Sequence, residues 1–245
     1  TGTVLRNPGI RSVSGTNTLA GKLILVSASV HNFSAAAGAK LIIDGPIQAS
    51  TNWLSGFPYH ALDGDGEGVA NSGFVNGSSF TGMTNSVFKL GNGTWTLNGN
   101  NTWIGHTVIS NGTLVVNGSI LGTNLVRVNA AGFHVGMIVS TNGTLKGDGL
   151  IHCITTNAGT LSPGSTIGML TISNALTMMP DSTNIFEIGA SAYDQVKGLS
   201  NVRYGGTLKV VLDRSLAGGE VFRLFEAATY EPSAFDTLEL PALPA

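Results

Sequence analysis

The residues best suited to chemistry are few and scattered. The acidic cluster is Asp63-Gly64-Asp65-Gly66-Glu67. Oxygen ligands at alternate positions, joined by flexible glycines, can wrap Ca2+. The twelve-residue EF-hand pattern is absent, so a solvated turn competes with calcium binding by Asp63, Asp65 and Glu67. The histidines are His31, His60, His106, His134 and His152, and none belongs to an H-E-x-x-H motif. His152 precedes the single cysteine, Cys153. Adjacent strand residues point to opposite faces, which argues against a base and thiol pair there. A lone buried cysteine behaves as a small hydrophobe. No G-x-S-x-G elbow and no P-loop are present. A polysaccharide-cleaving site needs carboxylates clustered on one face. Asp44, Asp181, Asp194 and Asp213 are isolated in sequence, although stacked coils bring together residues one turn apart. Aromatic side chains offer faces for sugar stacking or for a subunit contact. Trp53, Phe57 and Tyr59 are the candidates for such an interface, with Trp95 and Trp103 as further platforms.

The elements that must carry these residues are short strands. Apolar stretches such as Leu23-Ile24-Leu25-Val26, Leu41-Ile42-Ile43 and Leu208-Lys209-Val210-Val211-Leu212 lie between Gly and Asn. Their length and bounding turns favour strands over helices. A small unit recurs, Gly-Thr followed by an apolar residue. It stands at Gly93-Thr94-Trp95, Gly112-Thr113-Leu114, Gly143-Thr144-Leu145, Gly159-Thr160-Leu161 and Gly206-Thr207-Leu208, with a variant at Gly168-Met169-Leu170. Asn and Gly accept left-handed backbone angles at a corner, Thr opens an extended segment, and the apolar residue points inward. A coil built from such corners cannot bury its inner face alone, so coils stack. The fold class is therefore all-β, a parallel β-helix (β-solenoid). A β-sandwich is the alternative, because Asn-Gly turns also close hairpins. Seven N-x-S/T triplets, at Asn32, Asn76, Asn92, Asn100, Asn111, Asn117 and Asn142, are explained by the same turn chemistry.

Composition sets the outer bounds. The chain has 245 residues, of which 11% are charged, and a formal net charge of −2. That balance gives no electrostatic reason to bind nucleic acid. One cysteine excludes an internal disulfide framework. No apolar run is long enough for a membrane-spanning helix. A hydrophobic content of 42% suffices to build a core. The chain opens at Thr1 without a basic or apolar leader, which reads as a mature chain after removal of a signal peptide.

Residues 91–118 read GNGTWTLNGNNTWIGHTVISNGTLVVNG. This closely resembles the autotransporter-associated β-strand repeat of bacterial passenger domains. Trp95 and Trp103 stand where that repeat has Leu and Tyr, and His106 replaces a common Gly. Residues 143–212 continue the likeness through Ser162-Pro163-Gly164, Gly168-Met169-Leu170-Thr171-Ile172 and Tyr193-Asp194-Gln195-Val196. The closing segment, Phe235 to Pro244, resembles secreted repeat proteins of Verrucomicrobia and relatives. The resemblance implies a parallel β-helix that is exported, displayed at the cell surface and non-catalytic.

The chain divides into N-terminal strands or early rungs (1–47), an aromatic, Gly-rich loop excursion or cap (48–90), a solenoid repeat region (91–225) and a C-terminal segment (226–245). The expected function is structural and non-enzymatic: self-assembly into an extracellular filament or surface layer, with like subunits as partners. An adhesin or passenger-type module recognising glycans is the second reading, and a polysaccharide-degrading β-helix enzyme the third. No cofactor is implied beyond the calcium candidate, and neither nucleic acid nor membrane insertion is expected.

Overall fold

The computed structural model describes residues 9–25, 30–49, 59–75, 85–103, 105–121, 136–216 and 219–242. Within them every element is a strand, and every strand pairing is parallel. Parallel neighbours need a long return path. Here each return path is the rest of one coil, which makes the molecule a β-solenoid. A sandwich built on Asn-Gly hairpins would pair its strands antiparallel, and that alternative is excluded.

Each coil contributes one strand to each of three faces. Face A stacks Ile10–Ser12, Val30–Ala35, Tyr59–Gly64, Ser86–Lys89, the start of Thr107–Val116, the start of Gly136–Gly147, Ile154–Asn157, Leu176–Met178 and the end of Gln195–Arg203. Face B stacks Thr16–Leu19, Lys40–Ile43, Glu67–Ala70, Thr94–Leu97, the later halves of the two long strands, Thr160–Pro163, Thr183–Ile188, Thr207–Leu212 and Thr237–Glu239. Face C begins with Leu23–Leu25, Ile47–Ala49 and Phe74–Val75. It continues through Asn100–Asn101, Ser119–Ile120, Leu150–Ile151, Met169–Ile172, the start of Gln195–Arg203 and the start of Phe225–Tyr230. Thr102 N–H donating to the Phe74 carbonyl at 2.9 Å joins its two parts.

The Gly-Thr-apolar corners stack on one another. Asn111, Gly112, Thr113 and Leu114 lie over Asn142, Gly143, Thr144 and Leu145, and Thr144-Leu145 over Thr160-Leu161. Gly112 takes φ 64°, a left-handed angle that turns the chain from face A to face B. The coils hold from 16 residues (Thr144 to Thr160) to 31 (Thr113 to Thr144); loops absorb the variation, together with register shifts such as that between Ile109 and Asn111.

Residues 59–75 and 86–89 are coils of the solenoid, not a loop excursion. Residues 50–58 and 76–84 lie outside the described residues. The reason this stretch reads poorly is visible at Gly68. Trp95, one coil on, is completely buried and fills the space that Gly68 leaves. A Cβ on Gly68 would come within 2.2 Å of the indole ring.

The interior is filled by ladders of side chains, one per coil. Leu114, Leu145 and Leu161 form one on face B. Each buried side chain of this size is stabilised by about 1.5–3 kcal/mol relative to exposure. Phe33, Phe74 and Trp103 meet edge to face at 5.9 Å across successive coils. Phe186, Tyr204, Phe225 and Phe235 form a second aromatic cluster near the last coils.

Candidate functional site

The acidic cluster occupies the corner between faces A and B in the third coil. Its carboxylates do not converge. Asp63 Oδ1 accepts from the Gly64 N–H at 2.8 Å, and Oδ2 accepts from Asn32 Nδ2 at 3.2 Å. Asp65 Oδ1 accepts from the backbone N–H and the side-chain amide of Asn92, at 3.2 and 3.0 Å. Glu67 pairs with Lys40 at 3.0 Å on the exposed face. Each carboxylate therefore ties its coil to a neighbour. Among the described residues no group of three or more His, Cys, Asp or Glu could hold a metal ion. The calcium arrangement of Asp63, Asp65 and Glu67 is not assembled.

Beneath this corner lies Lys89, which is fully buried in a ladder between Leu62 and Ile109. Its Nζ donates to the carbonyls of Leu90, Gly91 and Asn111 at 2.5, 2.9 and 3.0 Å. Burial pushes its pKa down to about 8, while Asp63 and Asp65 oppose that fall. Three N–H bonds match three acceptors, so the ammonium closes the corner from inside. The lysine also compensates the two aspartates, which lowers the attraction of this corner for a divalent cation.

Two open grooves flank Asp65. One of about 470 Å3 is lined by Thr16, Lys40, Glu67, Asn92 and Thr94 among others. The second, about 250 Å3, is lined by Arg11, Asn32, Ser34 and Asp63 among others. Asn32 Oδ1 and Ser34 Oγ are buried there without a hydrogen-bond partner. Charges of both signs and amide groups suit a neutral, hydroxyl-rich ligand, but no aromatic ring lines either groove.

The remaining chemistry-bearing residues serve packing. Trp95 and Trp103 are buried, which overturns their reading as exposed sugar platforms. Their ring N–H groups donate to the Asp63 carbonyl and to Thr107 Oγ1. Tyr59 packs edge to face on Phe88 at 5.2 Å. Trp53 and Phe57 lie outside the described residues. His152 Nδ1 meets Ser173 Oγ at 2.5 Å, and burial pushes the Cys153 thiol up to about 12. A thiol that stays protonated, beside a histidine bound elsewhere, is no nucleophile. Asp194 is completely buried and accepts from the Gly168 and Glu187 N–H groups at 2.7 and 2.8 Å. Burial raises its pKa to about 6, against those two hydrogen bonds. Sequence marked the Tyr193-Asp194 step but not this role, because the two donors lie 26 and 7 residues away.

The outermost described coils differ from the rest in exposure. In the first, Thr16, Asn17 and Thr18 are exposed, as are Val13 and Ile24 at 69% and 58%. In the last, all of Thr237–Glu239 is exposed, and Leu238 and Leu240 are each at 59%. Ile24 stands in an outward row with Gln48 and the exposed Val75, whereas Leu238 extends the row of Leu161, Asn184 and Leu208. The signal was present in the sequence as charge: residues 9–25 hold Arg11 and Lys22 with no acid, whereas residues 226–242 hold Glu226, Glu231, Asp236 and Glu239 with no base.

Residues 87–116 match the family model of the passenger-associated-transport-repeat. The matched segment spans the fourth coil and the two strand halves that open the fifth, including Trp95 and the Gly112-Thr113-Leu114 corner. The chain thus carries the autotransporter-type passenger repeat that its sequence resembles. No curated protein matches the chain.

Proposed function

We propose that the protein is a non-enzymatic structural component of the bacterial cell surface, exported as a passenger-type solenoid, that self-associates into an extracellular filament or surface layer. The observation that carries this reading is the unbroken stack of parallel coils, part of which matches the passenger repeat. The interior ladders are closed, and the polar residues of the corners are engaged in tying coils together. Among the described residues, the outermost coils leave Leu238, Leu240 and Ile24 exposed. Unpaired edges template the addition of further strands. Contacts between unlike surfaces that do not close on themselves grow filaments. Electron microscopy of the purified chain across a concentration series tests the reading. Periodic fibres or sheets are expected, and monodisperse particles at every concentration refute it.

The two polar grooves beside Asp65 favour a second reading, an adhesin-type module that holds glycans. Glycan-array binding that is lost in Asn92→Ala would support it.

A further inference from the structure

Two buried polar side chains on the outer side of face A lack partners, and they line the same groove. We propose that this smaller groove seats one sugar ring of a neutral glycan, with Asn32 and Ser34 as its floor and Arg11 and Asp63 at its sides. The inference rests on the adhesin-type reading and names the seat within it.

The strand Val30–Ala35 shows why these atoms meet the groove. Phe33 and Ala35 belong to the core, so Asn32 and Ser34 between and beside them point outward. Outward side chains normally meet water. These two are only 3% and 6% exposed, and Asn32 Oδ1 and Ser34 Oγ have no hydrogen-bond partner. A buried acceptor left unmade is costly. The other end of the Asn32 amide is already engaged, because Nδ2 donates to Asp63 Oδ2 at 3.2 Å. Asn32 Oδ1 therefore calls for a donor from an incoming group, and the Ser34 hydroxyl can give or take a proton.

Register sets the rest of the seat. Arg11, Ser34 and Asp63 stand opposite one another on three successive coils, in one outward row. Strands lie about 4.8 Å apart, so Arg11 and Asp63 stand about 10 Å apart across Ser34. The row runs from a donor through a hydroxyl to an acceptor, with the Asn32 acceptor beside it. Hydroxyl groups, which both donate and accept, satisfy all four. A purely anionic ligand would meet Asp63 and Asp65. A cation would meet Arg11 and, from behind the corner, Lys89, which feels both aspartates. The groove of about 250 Å3 is several times the ~30 Å3 share of one water and below the ~300–1,000 Å3 of a drug-sized site. One sugar ring matches that room. Asp65 also lines the larger groove of about 470 Å3, which holds Asn92. A longer glycan would pass over Asp65 from the first groove into the second.

The test uses the whole chain and an array of glycans carrying neutral hexoses, N-acetylhexosamines, uronic acids and sialic acids. The best binder and its terminal monosaccharide are then titrated by calorimetry against the parent and four variants. Ser34→Ala removes the hydroxyl and leaves the Asn32–Asp63 bond in place. Asn32→Leu removes the buried acceptor. Asn92→Ala alters only the larger groove, and Asn98→Ala lies at a different corner. Circular dichroism with thermal unfolding checks that each variant folds. A neutral glycan is expected to bind. Ser34→Ala should weaken monosaccharide and glycan alike by about tenfold, and Asn32→Leu by at least as much. Asn92→Ala should weaken the glycan but not the monosaccharide, and Asn98→Ala neither. Loss of glycan binding in Asn92→Ala with full binding in Ser34→Ala and Asn32→Leu overturns this seat and leaves the adhesin-type reading standing. Binding confined to acidic glycans overturns the neutral seat. A Ser34→Ala chain that melts higher with unchanged glycan affinity shows the floor to hold ordered water only, which also overturns the seat. An array without any binder overturns both the seat and the reading it rests on.

Discussion

Acidification should open the stack locally, at the second and third coils, and His60 is the residue that makes it do so. His60 is 2% exposed and stacks between His31 at 5.4 Å and Phe74 at 5.8 Å, measured between ring centroids. Burial depresses its pKa from 6.5 to about 3, and the neighbouring His31 adds to that fall. Burial also lowers His31. A base with a depressed folded pKa binds more protons unfolded than folded between those two values. Stability is therefore full above pH 6.5 and falls as the pH drops towards 3. At 1.36 kcal/mol per pH unit, the gap between 6.5 and about 3 corresponds to about 5 kcal/mol. Asp194 works in the opposite sense. Its folded pKa of about 6 lies above the ordinary 3.8, so its contribution grows as pH falls through that window. The two are separable, because Asp194 sits at the corner between faces B and C of the eighth coil and His60 on face A of the third. His60→Phe removes the titration and also a buried ring nitrogen without a partner. The variant should match or exceed the parent in stability at pH 7, and lose most of the decline between pH 6 and pH 4. Chemical unfolding at several pH values reads the slope, and hydrogen exchange locates it to residues 30–35 and 59–64. Stability in a solenoid is a sum over neighbouring coils, so the effect should stay there. Identical pH profiles for parent and His60→Phe would refute the argument.

Other perturbations test the remaining contacts. Lys89→Met strips donors from three carbonyls inside the corner and should cost about 2–4 kcal/mol, read by urea unfolding at pH 7; an unchanged midpoint would remove the inner staple. Leu114→Asp buries an unpaired charge at a position with no exposure and should leave too little folded protein to purify, or lower the melting temperature severely; unchanged melting would put this residue on the wrong face. Gly68→Ala pushes a methyl into the Trp95 ring and should cost about 1–3 kcal/mol, most of it recovered when Trp95→Leu is added; a double-mutant cycle without coupling would deny that the two share one space. Asn98→Ala breaks a side-chain ladder in which Asn117 donates to Asn98, Asn98 to Asn71 and Asn71 to Asp44, and should cost about 1 kcal/mol on thermal unfolding.

How far the fold could be read from sequence depends on which residues hold the corner. Where the corner is Gly-Thr-Leu, the rule is local. At Gly112 a left-handed glycine, a β-branched opener and an inward leucine follow one another, and Gly112 to Leu114 lies directly over Gly143 to Leu145. The same corner earlier in the chain is built with Thr16, Lys40 and Glu67, and its geometry is unchanged. The ladder position there is filled by Leu41, then by nothing at Gly68, then by Trp95. A large residue and a missing one compensate across a gap of 27 positions, and no window of sequence contains both. That non-local exchange of volume is why residues 59–75 look like loop when read alone. Gly168-Met169-Leu170 misleads in the other direction. It copies the corner signature, yet Met169 pairs with Gln195 on face C, and the face B strand of that coil is Thr160–Pro163.

The same distinction explains what became of the candidate site. Asp63, Asp65 and Glu67 alternate as calcium ligands would, but they straddle a corner, and Asp63 and Glu67 bond to the second coil while Asp65 bonds to the fourth. Asn32 lies 31 residues before its partner Asp63, Asn92 lies 27 after Asp65, and Lys40 lies 27 before Glu67. In a solenoid the nearest neighbours of a polar side chain are one coil away, so a cluster in sequence is dispersed in space. A set of residues dispersed in sequence is gathered instead. Asp44, Asn71, Asn98 and Asn117 share no local motif and form one continuous hydrogen-bonded line. Chemistry in this fold must therefore be sought along the stack. Along that axis the largest imbalance is between the basic first coil and the acidic last one.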